Sequence, residues 1–417
     1  MLSGTSADAI DVALADIDDD DAGHATLRPL RHAELPWPDG LGGHILDALP
    51  PARMDLVQVC ALDARLGQAF ARAARWAIDQ WGPMDLISSH GQTLAHWVDA
   101  TSTTALGTLQ LGAPAWIART TATPVISDFR SSDIAHGGHG APLASTLDRL
   151  WLGERPTAAI NIGGIANLTL VAGGVVTGDT GPGNCLIDDA VRQHFAMPYD
   201  REGAIAAAGE VHREALQVLL ADPFYATAMP RSTGREYFDA AYVTRTLDAA
   251  GVQVPQGADL IATLTHLTGH TIARAVSAAS AGRPQPERVV VSGGGAANPT
   301  LMRLLNKLLP GVCTSTELGL PAEAKEGYLF ALLGYLSARG LPGTVPAHDA
   351  PASVRAPAAS TRAAATAPAQ EGRAAWPQHP ARQATGADRP VVLGSLTPPA
   401  PAPCAPARSA IHTLSIA

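Results

Sequence analysis

The chain has 417 residues, enough for two domains, with 46% hydrophobic residues but only 5% aromatic ones. Ala and Gly dominate, which predicts close, helix-rich packing, and the net charge of −9 argues against a nucleic-acid partner held through phosphate contacts. Cys60, Cys185, Cys313 and Cys404 lie far apart without C-x-x-C spacing, so neither disulfides nor zinc are expected, and a reducing compartment fits. Met1 is followed almost at once by polar residues, so no signal peptide is visible. No apolar stretch reaches ~18 uninterrupted residues, so no membrane span is expected. The acidic run ending at Asp21 is short and reads as a hairpin cap.

In chain order, Asp11–Ile17 alternates as a strand, with Ala25–Leu35 as its hairpin partner. Leu62, Leu66, Phe70, Ala73, Trp76 and Ala77 have helical spacing, predicting a helix over 62–81. Asp85–Ser89 reads as a short buried strand running into His90-Gly91-Gln92-Thr93. Pro114–Thr120 reads as a helix and Pro124–Asp128 as a strand. The alternation of helix and strand argues for an α/β fold. The pattern recurs. Ala158–Gly164 and Ala166–Val171 form a glycine-bearing strand pair, and Val175–Thr177 adds a third strand. Leu260–Ala281 is a helix, and Arg288–Ser292 is a strand ending in Gly293-Gly294-Gly295. Helices begin at Asn298-Pro299 and over Glu323–Ser337. Each half has strands, helices and a strand ending in a glycine turn, which reads as a duplicated domain. Residues 347–383 are rich in Ala, Pro and Arg without apolar period, so disorder is expected there. Structure resumes over 384–398, and the Pro/Ala-rich tail 399–417 is expected to be loose.

Chemistry-bearing residues cluster around the glycines. Gly178-Asp179-Thr180-Gly181-Pro182-Gly183-Asn184 reads as an acid in a turn that no strand would hold, entered from a strand and left by a helix with Asn184 as N-cap. An acid there, beside N–H groups at a helix start, suits a base working near phosphate; the alternative is a solvated turn Asp. Ser3-Gly4-Thr5-Ser6-Ala7-Asp8-Ala9-Ile10-Asp11 offers backbone N–H groups for phosphate, with hydroxyls and acids for Mg²⁺; the alternative is a polar turn. Ser292–Ala297 lies between strand and helix, where a nucleotide can rest on backbone, but no Lys-Ser/Thr follows as a P-loop requires. Arg130 suits a substrate carboxylate, or else an ion pair with Asp128 or Asp133. His90 suits a substrate hydroxyl, or is a satisfied core histidine. Glu326, on a helix, is either functional or solvated.

Together these segments are more specific than any one of them. The chain resembles the anhydro-N-acetylmuramic acid kinases. Ser3–Asp11, Ser89–Thr93, Asp128-Phe129-Arg130 with Gly137–Pro142, Asn161–Asn167, Asp179–Asn184, Ser232–Phe238, Ser292–Gly295 and Lys325-Glu326 occur in family order. The resemblance implies an α/β fold of duplicated actin-like (ribonuclease H-like) domains around a cleft, in two parts at 1–155 and 156–346. It implies ATP, Mg²⁺ and water as reactants. The 1,6-anhydro ring opens and O6 is phosphorylated, in the cytoplasm, by a homodimer expected to have no nucleic-acid or membrane partner. The alternatives are a kinase of the same fold acting on another sugar, and a binding relative without turnover.

The resemblance makes Asp179 the catalytic base and puts Arg130, Glu326 and His90 at the sugar. It puts Gly4, Thr5, Ser6, Ala7, Asp8, Ala9, Ile10, Asp11, Gly163, Gly164, Gly293, Gly294 and Gly295 at ATP. No residue is assigned as a resident metal ligand. Against the family pattern, the first strand is expected to be truncated, since Met1 stands two residues ahead of Ser3. Ala9 stands where glycine is usual, which costs about 1 kcal/mol if positive φ is needed there. His139 stands where glutamine is usual. The stretch 347–383 interrupts a continuous C-terminal segment, so Gly343–Ala347 should run almost directly into Ala384–Ser395.

Overall fold

The computed structural model describes residues 1–4, 7–20, 23–50, 52–99, 104–153, 155–235, 237–345, 383–387, 390–398 and 413–416. The expected insertion lies outside the described residues except for Gln383, as does most of the tail. The chain opens on an antiparallel hairpin of β1 (Ala9–Asp19) and β2 (His24–Pro36). Alternation puts Ile10 and Val12 of β1 against helix α1 (Leu56–Trp81), with Leu66 and Phe70 in the same core. Ala13, Ala15 and Ile17 face the opposite core. The predicted helix starts earlier than its apolar stripe because Asp55 and Gln58 form a capping box, each side chain bonding the other's backbone N–H at 2.8 Å. The strands β3 (Ile87–Ser88) and β6 (Val125–Ser127) run parallel. Between them in sequence is a hairpin of β4 (Gln92–Val98) and β5 (Ala105–Leu111), which sequence reading missed because two register shifts break its alternation.

The second half holds β7 (Thr157–Ile162), β8 (Ile165–Val171), β9 (Val175–Pro182), β10 (Arg288–Ser292) and β11 (Val312–Thr314). Their spatial order is β9-β8-β7-β10-β11, with the first three antiparallel and the rest parallel. In the first half, Leu2 exchanges backbone hydrogen bonds with Asp11, at 3.1 and 2.9 Å, while Met1 O accepts from His90 N at 2.9 Å and Ser3 N donates to Gly91 O at 3.2 Å. Met1–Ser3 therefore occupies the place of the expected first strand, as a short bridge between β1 and residues 88–92, which carry β3 on into β4. The first-half order, β2-β1-(Met1–Ser3)-β3-β6, then repeats the second in order and direction. This is the duplicated actin-like α/β plan, and the same-ordered strand ends bring both sets of loops to the carboxyl edges, where ligands bind in such sheets.

Helices cover the sheets. Helix α2 (Ala144–Leu152) lies against β8 and β9, while α4 (Gly257–Ala279) buries Ile272, Ala275 and Val276 against Ile160, Ile162, Leu168 and Val291 on the other face of that sheet. Helix α3 (Cys185–Phe195) follows β9, and α5 (Pro299–Leu308) starts from Asn298, whose Oδ1 accepts from Thr300 N and Leu301 N, both at 3.0 Å. The expected division at 156–346 differs from the packing of α6 (Lys325–Ala338). Its Tyr328, Leu332, Leu333 and Leu336 share a core with Leu27, Phe129 and Leu147 of the first half. This helix is apolar on most sides and so must be surrounded. A Cβ on its Gly334 would lie 2.6 Å from Ser88 Oγ, which shows how closely it abuts β3.

After the insertion the chain re-enters beside its exit: Ala384 N donates to Val345 O at 2.7 Å. Val391 and Leu393 then join the first-half core, and β12 (Ser395–Thr397) pairs with β6. The expectation of a loose tail fails at its end. β13 (Thr413–Ile416) adds a parallel strand to β2, with Leu414 buried beside Leu27, because alternating apolar residues there match an open sheet edge.

Candidate active site

On the first-half side, His90 and Arg130 follow the ends of the parallel strands β3 and β6 by two and three residues. Arg130 Nε donates to His90 Nε2 at 2.8 Å, and Nη1 donates to Gly140 O. Since Nε2 accepts, the proton sits on Nδ1, 3.3 Å from Gly91 O. Burial, with Arg130 adding, holds the His90 pKa well below its usual value, so the ring is neutral; it also packs at 4.4 Å on Phe330. The expectation that His90 orients a substrate hydroxyl is corrected: both nitrogens are engaged, and the ring holds Arg130. Burial pushes Arg130 down to about 10, against the pull of Glu326 and Asp133. Among the described residues Arg130 forms no ion pair with Asp128 or Asp133. Asp133 instead accepts from Gly140 N at 2.7 Å and from Thr385 Oγ1, tying the Gly137–Pro142 loop to the returning C-terminal segment. His139 N adds a bond to Thr385 O at 2.8 Å. Sequence reading did not foresee this anchoring, since Thr385 lies beyond the insertion.

At the expected phosphate loop, Ala7 N donates to Gly4 O at 3.1 Å and the buried Gln92 reaches Gly4 O at 3.4 Å. Thr5 and Ser6 lie outside the described residues. Positive φ falls on Ala7 (53°), not on Ala9, which opens β1, so the expected cost at Ala9 does not arise. Ile10 turns into the core, leaving Asp8 as the last loop residue and Asp11 on the opposite face of β1. Burial, then Glu34 and Glu326, push Asp11 up to about 7, with Asp8 adding to the same shift and the chain's amino group opposing it. Asp188, in the first turn of α3, is also pushed up to about 7, by burial first, and Asp8 contributes to its shift.

In the second half, β7 and β10 end side by side, with Ser292 level with Asn161. Their loops pack together: Gly163 O accepts from Asn184 N at 2.8 Å, and Gly164 O from Gly183 N at 2.9 Å. A Cβ on Gly183 would lie 2.3 Å from Gly163 O, and one on Gly293 (φ 79°) would lie 2.7 Å from Ile162 O. The side of Gly294 is open, with Asn184 Nδ2 nearest at 3.8 Å. Asn184 stands at the start of α3 but its side chain does not cap it; Nδ2 reaches back to Ile162 O at 3.4 Å, which corrects the N-cap expectation.

Asp179 is held by a strand after all. β9 continues to Pro182, because Gly181 and Thr180 are absorbed by a register shift: Ala166 faces Gly181 but Asn167 faces Asp179. Thr180 is the extra residue, and such bulges re-aim neighbouring side chains. The Asp179 Oδ2 accepts from Thr233 N at 2.7 Å and Ser232 Oγ at 3.1 Å, while Arg231 Nε donates to Asp179 O at 2.8 Å. The Ser232–Phe238 motif thereby supports the acid. Glu326, on the first turn of α6, accepts from Asn161 Nδ2 at 3.4 Å. It stays accessible to water although protein surrounds it closely, as at a cleft floor, and burial raises its pKa against the opposing Arg130 and Lys325. Lys325 is itself buried against Asp148 of α2, at 2.6 Å. The structure thus brings Arg130, His90, Asp11 and Glu326 together. Asp179 stands across the sheet from Glu326, and Gly163, Gly164, Gly293, Gly294 and Gly295 form one floor.

The family model for anhydro-N-acetylmuramic acid kinase matches residues 1–360. The chain belongs to the anhydro-N-acetylmuramic acid kinase family. A protein of that name from Streptomyces coelicolor is 48% identical, over 83% of this chain and 88% of its own. One from Streptomyces avermitilis is 47% identical, over 83% and 89%, and one from Rhodococcus erythropolis 44%, over 83% and 89%. No helix among the described residues is long and apolar enough to cross a membrane.

Proposed function

We propose that this kinase opens 1,6-anhydro-N-acetylmuramic acid with water and phosphorylates the released O6 from ATP, giving N-acetylmuramic acid 6-phosphate. The observation that carries the reading is Asp179, re-aimed by the Thr180 bulge beside the glycine floor and supported by Ser232 and Thr233. Asp179 takes a proton from water as its oxygen bonds to the anomeric carbon. The bond from that carbon to O6 breaks, O6 keeps the electron pair and attacks the γ-phosphorus, and ADP leaves. Arg130, held through Nε by His90, offers Nη2 to the lactyl carboxylate of the sugar, and Glu326 accepts a sugar hydroxyl. Gly4, Ala7 and Asp8 lie along the phosphates, with the Gly163–Gly164 and Gly293–Gly295 loops beneath the nucleotide.

The donors suit Mg²⁺, which takes one or two carboxylates and completes its shell with phosphate and water. Asp11 and Asp8 would hold it, since Asp11 is pushed up by burial and by surrounding acids that a cation relieves. When bound, Mg²⁺ neutralises phosphate charge. A requirement for ATP fits a cytoplasmic enzyme, and a homodimer is the assembly the family resemblance implies. The test is ADP release with purified protein, Mg²⁺, ATP and the anhydrosugar. Turnover that Asp179→Asn abolishes is expected; folded protein without turnover refutes the reading.

A further inference from the structure

One row of side chains crosses the second sheet where it opens on the cleft. Ser292 is level with Asn161, Asn161 with Asn167, and Asn167 with Asp179, on four neighbouring strands. Residues level in this way share a face, and in the antiparallel pairs among them Cβ atoms are about 4.5–5.5 Å apart. The row below it, Val290, Ala159, Thr169 and Thr177, is buried. The row above is polar and half open, apart from the buried Ser292.

Its members differ in what they bind. Asn161 is used at both ends: Oδ1 accepts from Ser292 Oγ at 3.3 Å and Nδ2 donates to Glu326. Asp179 is held by Ser232 and Thr233. Asn167, between them, makes no side-chain hydrogen bond to any described residue. Its strand neighbours Ala166 and Leu168 are fully buried on the other face, so its carboxamide is the one polar group that β8 turns to the cleft at this level. It is level with Asp179 only because of the bulge at Thr180.

Resting on the function proposed above, we infer that Asn167 is a second catalytic residue that orients the attacking water. Asn167 Oδ1 accepts one proton of the water and Asp179 takes the other. With two acceptors one cross-strand spacing apart, the oxygen lone pair is aimed at the anomeric carbon. The proton on Asn167 stays with the new hydroxyl, and the one on Asp179 is lost to solvent after product leaves.

The test is steady-state ADP release with ATP, Mg²⁺ and 1,6-anhydro-N-acetylmuramic acid, on wild type, Asn167→Ala and the isosteric Asn167→Asp, with thermal melts of each. Asn167→Ala is expected to lower kcat about 100-fold, as loss of a positioned near-attack geometry does, with KM for ATP unchanged. Asn167→Asp puts a second carboxylate beside Asp179, so the acid limb of kcat moves to higher pH. Arg231 faces Asp179 and opposes that shift, and Glu326, Arg130 and Lys325 at the far end of the row are common to both proteins. Wild-type kcat in folded Asn167→Ala, or an unmoved acid limb in Asn167→Asp, overturns the proposal while wild type still turns over. Should Asn167→Ala fail to fold, the pH profile of Asn167→Asp decides. Wild type without turnover overturns the functional reading and this proposal with it.

Discussion

Lys325 is the hinge between fold and site, because it is buried, charged and adjacent to Glu326. Its Nζ lies 2.6 Å from Asp148 Oδ1, the two side chains being 4% and 2% exposed. That carboxylate oxygen has no hydrogen-bond partner among the described residues apart from this ammonium. Lys325→Met therefore strands a carboxylate inside the contact between α2 and α6. Breaking such a pair from one side costs about 3–5 kcal/mol, whereas replacing both members with apolar residues is close to neutral or stabilising. Lys325→Met should lower the urea midpoint, followed by intrinsic tryptophan fluorescence, and Asp148→Leu/Lys325→Met should restore most of the loss. A single variant within about 1 kcal/mol of wild type would refute the buried-pair argument, and so would a double variant as unstable as the single one.

Two further outcomes follow from the site. His90→Ala removes the acceptor of Arg130 Nε, and a hydrogen bond to a charged group is worth about 1.5–3 kcal/mol, so KM for the anhydrosugar should rise about 10-fold or more with KM for ATP unmoved. An unchanged sugar KM would show that Arg130 needs no such support. Asp188 has its folded pKa at about 7, well above the unfolded value, so its contribution to stability is present at low pH and is lost as pH rises from about 4 to about 7. Asp188→Asn should therefore flatten that decline, unfolding at higher urea than wild type at pH 8 and converging with it at pH 4; parallel curves at both pH values would disprove it. Asp11, shifted the same way, keeps part of the slope in the variant.

The sequence by itself determined the α/β alternation, the duplication and the clustering of acids with glycine turns, because these are local: apolar period, caps and glycines act over a few residues. Asp179, Arg130 and Glu326 could be singled out in the same way, by residue type and setting. The row of asparagines left a faint signal, polar residues inside otherwise apolar strands at Asn161 and Asn167. Only tertiary structure decided what each group does. His90 serves Arg130 because two parallel strands end side by side. Asp179 belongs to a strand because β9 pairs with β8 on one side while Arg231 takes the Asp179 N–H and C=O on the other, and a one-residue slip chooses its face. Thr385 anchors Asp133 across 252 residues, and Thr413–Ile416 joins the sheet because β2 offers an unpaired edge. Pairing, register and burial depend on partners distant in the chain, and no local pattern encodes them.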